Sequence, residues 1–344
     1  MVTQEVVPGG WVVEVQQGAD IFYKGEIAEQ IAEDFAKNGG ILSYDDLATY
    51  ETVKTDPLRY TYRGFDITTN QPPGGGIMLN QMMNILENFD LAGIGHNSDE
   101  YIRIVSEAMK AATADKDAHV GDPAFFDVPM DRLTSKEYAA EIAARIRDGE
   151  KFHVPRLGMD GAPESKQTTH VAVIDDQGNA VTMTHSLGMP SGVISNGLGF
   201  MYNGCMAVFD PRPGRAGSIA PGKSRFSSLC PTLVFRDDQL KLAIGAPGGT
   251  QIAMGVMHGM LNVLDHDMTM TEAVSAPRFS ATSDMIDLTN RIPRYQEKAL
   301  NDLGYETVRD HHTFAIAAVH GIRVTDAGFD GGADPGHDGV AIGV

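Results

Sequence analysis

Gln167-Thr168-Thr169-His170-Val171-Ala172-Val173-Ile174-Asp175-Asp176-Gln177-Gly178-Asn179-Ala180-Val181-Thr182-Met183-Thr184-His185-Ser186 is the stretch that decides the reading of this chain. Two β-rich runs, residues 170–175 and 179–184, flank the turn Asp176-Gln177-Gly178, a pattern that predicts an antiparallel hairpin. A three-residue loop closed by glycine pairs Asp175 with Asn179. Counting seven residues outward on each strand sets Ser186 across from Thr168, two hydroxyls side by side. A threonine hydroxyl is almost wholly protonated at neutral pH and attacks only with a base beside it. The α-amine of the same residue can be that base, with a reference pKa of about 7.7–8.0, once the chain is cut ahead of Thr168. From the pattern alone, Thr-Thr at a strand start also reads as plain β-propensity, and a Thr–Ser pair as an idle cross-strand contact. Both readings stand at this point.

Upstream of the hairpin the chain reads mostly as helices. Ile27, Ile31 and Phe35 recur every fourth residue and stop at Asn38-Gly39-Gly40. Ser43 with Asp46 has the spacing of an N-cap with an acidic third position. Met78, Met82, Ile85, Leu86 and Phe89 form one helical stripe, and Tyr101, Ile104, Val105, Ala108, Met109 and Ala112 another; both read as core packing. Downstream, residues 232–235 and 240–244 predict a second hairpin around Asp237-Asp238. Gly245-Ala246-Pro247-Gly248-Gly249-Thr250 then opens a helix faced by Met254, Met257, Leu261 and Leu264. Gly255 and Gly259 on that helix predict close approach of another element. Residues 152–167 and 210–224, rich in Gly, Pro and charge, have the least structured composition. Sheets layered with helices in one interdependent domain is the expected organisation.

Composition narrows the function classes. Lys plus Arg number 27 against 46 Asp plus Glu, a formal charge of −19, so nucleic acid and anionic membranes are poor partners. Cys205 and Cys230 are the two cysteines, too few for a disulfide framework and without zinc-site spacing. The eleven histidines are scattered; His311-His312 and His266-Asp267 lack an HExxH-like spacing, so no metal is expected. No apolar run reaches the roughly 18 residues of a membrane span, and the first residues have no signal-peptide pattern, which points to the cytoplasm by default. GxSxG is absent. Gly74-Gly75-Gly76 reads as a tight turn ahead of a helix, with anion binding as its alternative; it lacks the Lys-Ser/Thr of a phosphate loop. The run at 245–250 lacks that lysine too. It leaves a nucleotide site as a rival to a row of backbone N–H groups fit to stabilise an oxyanion.

These pieces together resemble the gamma-glutamyltranspeptidase family of N-terminal-nucleophile hydrolases. The resemblance runs through residues 18–26, Asp46-Leu47-Ala48-Thr49-Tyr50, Tyr62-Arg63-Gly64, Gln71-Pro72-Pro73-Gly74-Gly75-Gly76 and residues 132–139. It continues through Gln167-Thr168-Thr169-His170, residues 176–181, residues 226–232, Gly245 to Gly249, Ala333-Asp334-Pro335 and Asp338-Gly339. It implies an αββα sandwich made as one proenzyme. Thr168 would cut the chain after Gln167, leaving 1–167, a shortened large-subunit-like and mostly helical segment, associated with 168–344, which carries the nucleophile hairpin. Both segments would form one domain. The implied roles are nucleophile for Thr168, second hydroxyl for Ser186, oxyanion hole for the N–H groups of Gly248 and Gly249, and substrate-carboxylate binding for Ser227 and Ser228. The implied reaction is cleavage of a gamma-glutamyl-type or related carboxylate-bearing small-molecule amide through an acyl-enzyme, with water or an amine as acceptor and no cofactor.

The departures from the family pattern shape the expected specificity. Gly188 stands where glutamyl-specific members carry Asn. Asn203-Gly204-Cys205-Met206-Ala207-Val208 replaces a run whose Gln and final Asp hold the substrate α-amine. An ammonium without its charge partner costs several kcal/mol to bury, so glutathione is not the expected preferred substrate. Specificity like that of oxamate amidohydrolases or cephalosporin and glutaryl acylases is the alternative; a catalytically inactive remnant is another. The shorter 210–224 segment implies a more open cleft. The family's long front segment, with a carboxylate-binding arginine, has no counterpart here, and residues 1–17 match nothing in the family pattern. An export signal in such a segment would move the expected compartment to the periplasm or outside the cell. Arg225 reads as a surface arginine, with replacement of the missing one as its rival.

Overall fold

A computed structural model describes residues 18–155 and 168–344. They fall into two compact units. The smaller comprises the described residues up to Thr55 together with Pro190–Asn203. Its main helices are α1 (Glu26–Lys37) and α2 (Tyr44–Ala48). The Ser43 hydroxyl and the Asp46 carboxylate cap α2 reciprocally, as their spacing predicts. Ala28, Ile31 and Leu47 form its buried centre, under Phe22, Phe35, Leu198, Phe200 and Tyr202.

In the larger unit the strands are β1 (Leu58–Tyr62), β2 (Phe65–Thr69), β3 (Thr168–Ile174), β4 (Ala180–Ser186), β5 (Thr232–Arg236), β6 (Gln239–Gly245), β7 (Phe279–Ser280), β8 (Ile286–Leu288), β9 (Thr307–Arg309), β10 (His320–Thr325) and β11 (Gly328–Ala333). The order β1-β2-β5-β6-β10-β11 makes a six-stranded sheet whose neighbours are all antiparallel. β3 pairs with β4 as a separate hairpin, and β7-β8-β9 form a small third sheet. The main helices are α3 (Gly76–Leu86), α4 (Asp99–His119), α5 (Lys136–Arg147), α6 (Ile252–Leu264), α7 (Met270–Ser275) and α8 (Arg294–Asp302).

α3 and α6 are apolar nearly all round and lie buried along their length, so they are the central helices of the unit. The methionine stripe of α3 is core: Met78, Met82 and Met83 pack with Tyr101, Met109, Met254 and Met257. α6 lies on one face of the six-stranded sheet. A Cβ on its Gly259 would come within 2.7 Å of Ile244 Cδ1, and one on Gly255 within 2.5 Å of Ala317 Cβ. The close approach predicted from these two glycines is therefore present. Gly245, next to Ile244 on β6, faces the opposite way, toward the hairpin.

The hairpin adopts the register that its turn predicts. Thr168 pairs with Ser186, His170 with Thr184, and Ile174 with Ala180. Asp175 N–H donates to Asn179 O across the turn at 3.0 Å. Even-numbered residues of β3 and β4 point inward and odd-numbered ones outward, where Val171, Val173, Val181 and Met183 are exposed. Among the described residues no helix is long and apolar enough to cross a membrane. Gln167 lies outside the described residues.

Replacing Gly255 with Val should wedge two methyl groups against Ala317 and lower stability by about 1–3 kcal/mol. Denaturant unfolding of the purified variant measures the loss, and an unchanged midpoint would contradict this packing.

Candidate active site

At the start of β3 the Thr168 side chain is buried, 5% exposed, and its Oγ1 lies 2.7 Å from Ser186 Oγ. The cross-strand pairing alone produces this contact, because both side chains leave the same face of the hairpin at one level. Ser186 Oγ also accepts the N–H of Gly188 at 2.8 Å. The serine hydroxyl is thus fixed in direction and bonded to the threonine oxygen. Such a pair can relay a proton while one oxygen attacks.

Two residues along the same face stands His170. Its Nδ1 pairs with Thr184 Oγ1 at 2.8 Å, and its ring fills the gap between hairpin and sheet. A Cβ on Gly245 would fall 2.2 Å from His170 Cε1, so only glycine lets the two layers come this close. Thr182 Oγ1 donates to Ile244 O at 3.3 Å one level further down. Passing from Thr182 to His170 on the hairpin matches passing from Ile244 to Gly245 on β6. The same direction leads to Thr168 on one side and to the 246–249 loop on the other. Burial, with the nearby His320 adding to it, pulls the His170 imidazole down to about 4 from its ordinary 6.5.

The 246–249 loop has little freedom. Gly248 holds φ +146 and Gly249 φ +56, and a Cβ on Gly248 would lie 2.5 Å from Ala317 Cα. Ala318 N–H donates to Pro247 O at 2.9 Å. Among the described residues no acceptor takes the N–H of Gly248 or Gly249, at a turn leading into α6. Ser228 Oγ donates to Gly249 O, which joins the serine pair to this loop. The Pro-Pro-Gly-Gly-Gly run is a brace for those serines. Ser227 N–H donates to Pro73 O at 2.8 Å, Gly75 N–H to Leu229 O at 2.9 Å, and a Cβ on Gly75 would strike Ser228 O. Asn70 locks the run by donating to Leu229 O at 2.8 Å and accepting from Gly76 N at 3.0 Å. Sequence reasoning passed over Asn70; its place just ahead of the run was the available signal.

The predicted residues therefore gather as two pairs, Thr168 with Ser186 and Ser228 with Gly249, linked through His170 and Gly245. Elsewhere Asp310, His311 and His312 bring three donor atoms within 4.8 Å of one another at the surface. Asp310 already accepts from the backbone N–H and ring of His312, which accounts for their proximity as a local turn.

Residues 15–344 match the family model described as Gamma-glutamyltranspeptidase. The chain belongs to that family. The glutathione hydrolase proenzyme of Escherichia coli (strain K12) is 39% identical over 279 residues, which is 77% of this chain and 48% of that protein. The acylase ACY 1 proenzyme of Pseudomonas sp. (strain SE83) is 37% identical over 296 residues, 85% of this chain and 53% of that protein. Among solved structures, the cephalosporin acylase from Bacillus halodurans superposes with a TM-score of 0.86 at 27% identity, covering 96% of this chain and 60% of that one. The chain spans about half the length of the curated relatives it matches.

In this transpeptidase-family chain the ground around Gly188 is closely packed. Gly188 holds φ +65, and a Cβ there would lie 2.4 Å from Cys205 Sγ and 3.0 Å from Arg225 Nη2. Cys205 Sγ donates to Leu187 O at 3.3 Å. Arg225, read from sequence as a surface residue, is half-buried here. The convergence of positions 188, 205 and 225 is a tertiary fact that no local pattern announces.

His170 gives a pH test. Its folded form binds a proton more weakly than the unfolded chain, so its contribution to stability is complete above about pH 6.5. That contribution declines as pH falls toward about 4. Burial places His258 in the same class, down to about 3. Melting temperature should fall steadily from pH 6.5 to pH 4, each such histidine adding up to about 1.4 kcal/mol per pH unit. His170→Asn should flatten part of that slope; an identical slope would contradict the assignment.

Proposed function

We propose that the chain is a self-processing threonine amidohydrolase or acyltransferase acting on a small carboxylate-bearing amide. The observation that carries this is the 2.7 Å contact of Thr168 Oγ1 with Ser186 Oγ at the first residue of β3. In processing, Thr168 Oγ1 attacks the carbonyl carbon of Gln167. The C–N bond breaks as the acyl group passes to oxygen, and water then opens the ester. This releases the Gln167 carboxylate and the Thr168 α-amine. The segments 1–167 and 168–344 stay associated. In turnover the amine takes the hydroxyl proton as Oγ1 attacks a substrate amide, and hands it to the departing nitrogen. Water or an amine then resolves the acyl-enzyme. The N–H groups of Gly248 and Gly249, which no acceptor among the described residues takes, are the oxyanion donors of this reading, each worth about 3 kcal/mol of barrier. Ser227 and Ser228 hold the substrate carboxylate.

The family's fold extends this reading. Helices α3 and α6, the six-stranded sheet and the hairpin are taken as three layers of an αββα sandwich. The exposed face of Val171, Val173, Val181 and Met183 is where the fourth would pack. Gly188 and Val208 favour acylase-type over glutathione-type specificity, since neither can hold a substrate ammonium.

Freshly purified protein should migrate on a denaturing gel as two pieces of roughly half of 37.0 kDa. N-terminal sequencing should give Thr-Thr-His for one of them. Thr168→Ala should stay whole, and Ser186→Ala should process and turn over about 10²-fold more slowly. An intact wild-type chain under all conditions would end the proposal. Gly248→Ala, whose Cβ meets Ala317, should lower kcat by about 10²-fold with little change in KM.

A further inference from the structure

The side-chain face of Gly188 is occupied by a cation. Arg225 Nη2 stands 3.0 Å from the position a Gly188 Cβ would take, with Cys205 Sγ beside it. Gly188 N–H is bonded to Ser186 Oγ, which in turn touches Thr168 Oγ1. Gly188, against whose side-chain face the guanidinium lies, is therefore two hydrogen bonds removed from the proposed nucleophile. Arg225 Nη1 donates to Phe226 O at 2.8 Å, which fixes the head group. Among the described residues no carboxylate forms an ion pair with it, although the chain carries 46 acidic residues against 27 basic ones. None of residues 205–208 is acidic, and Cys205 is the one that lies against Gly188. Ser227 and Ser228 follow Arg225 directly and are themselves positioned by Pro73 and Gly249.

A half-buried guanidinium held at Nη1 with further donors to spare fits a carboxylate, because its planar fork can meet both oxygens. It repels an ammonium placed at the same spot. We propose that Arg225 is the specificity-determining residue of the acyl site, binding the distal carboxylate of a short dicarboxylic acid monoamide that has no ammonium beside that carboxylate. The inference rests on the reading of Thr168 as the nucleophile and names the donor class for it. Succinyl and glutaryl amides belong to the class; γ-glutamyl amides do not, because their carboxylate carries an α-ammonium.

Two measurements test this, one of which needs no turnover. Glutarate should bind the unprocessed Thr168→Ala protein in calorimetry. Adding Arg225→Gln should weaken that binding at least tenfold, and Arg225→Lys should weaken it less. Equal affinity in the three proteins would overturn the proposal. With processed wild type, glutaryl-p-nitroanilide should exceed γ-glutamyl-p-nitroanilide in kcat/KM by at least tenfold. Arg225→Gln should raise KM for the glutaryl donor about tenfold and leave kcat nearly unchanged, while Arg225→Asp should reverse the preference. A wild-type preference for the γ-glutamyl donor, or a loss confined to kcat, would overturn it. Arginine-dependent glutarate binding in a protein that neither cleaves itself nor turns over any anilide would sink the nucleophile assignment and sustain the carboxylate site. Melting curves of the Arg225 variants identify a merely misfolded one, and the lysine variant then decides.

Discussion

The contact between the His170 ring and the bare Cα of Gly245 sets the spacing on which the rest of the site depends. A hairpin of two strands has little area of its own with which to hold a position. Here it is pressed against the six-stranded sheet by an imidazole that no larger residue at 245 would admit. The ring stays in place because Thr184, its cross-strand partner, bonds Nδ1. Burial favours the neutral ring, so the gap between layers is filled without a charge to solvate. Because Thr168 lies two residues from His170, and Gly248 three residues from Gly245, one van der Waals contact sets the height of both working ends.

The loop on the sheet side is held from behind in a different way. Arg278 and Asp334 form a buried ion pair, and Arg278 also donates to Ile316 O at 2.8 Å and to Val274 O at 2.6 Å. That fixes the segment containing Ala317, whose Cα blocks any side chain at Gly248, and Ala318, whose N–H holds Pro247. A buried pair of this type adds little net stability, yet removing one partner strands the other and costs about 3–5 kcal/mol. Its value here lies in placement. Asp334, noticed in the sequence only as part of a family pattern, supports the loop at one remove, through backbone atoms.

What could be read in the sequence follows from how local each determinant is. The hairpin register was legible because turn length and the two-residue strand period are both local rules, and together they put Ser186 opposite Thr168. The cap at Ser43 and the buried methionine stripe were legible for the same reason. Gly255 and Gly259 announced a close neighbour without naming it, and the structure supplies Ala317, Val319 and Ile244. The six-stranded order β1-β2-β5-β6-β10-β11 was not legible, because joining β2 to β5 and β6 to β10 depends on contacts far apart in the chain. Arg225 was read as a surface residue for a related reason. Nothing within ten positions of it reveals that Gly188 and Cys205 converge there.

The two neighbourhoods, at Thr168 and at Gly188, are held by different kinds of structure. The hydroxyl pair depends on strand register and one glycine-sized gap, backbone properties that survive most side-chain changes elsewhere. The region beside Gly188 depends on three side-chain identities contributed by separated segments, and any of them can change without moving a strand. A bulkier residue at 188 would displace both the thiol and the guanidinium, since its Cβ alone meets Cys205 at 2.4 Å and Arg225 at 3.0 Å. Glycine at 188 and arginine at 225 are therefore a coupled choice, the small residue making room for the charge. The charge on that face can change while the register that pairs Thr168 with Ser186 is left alone.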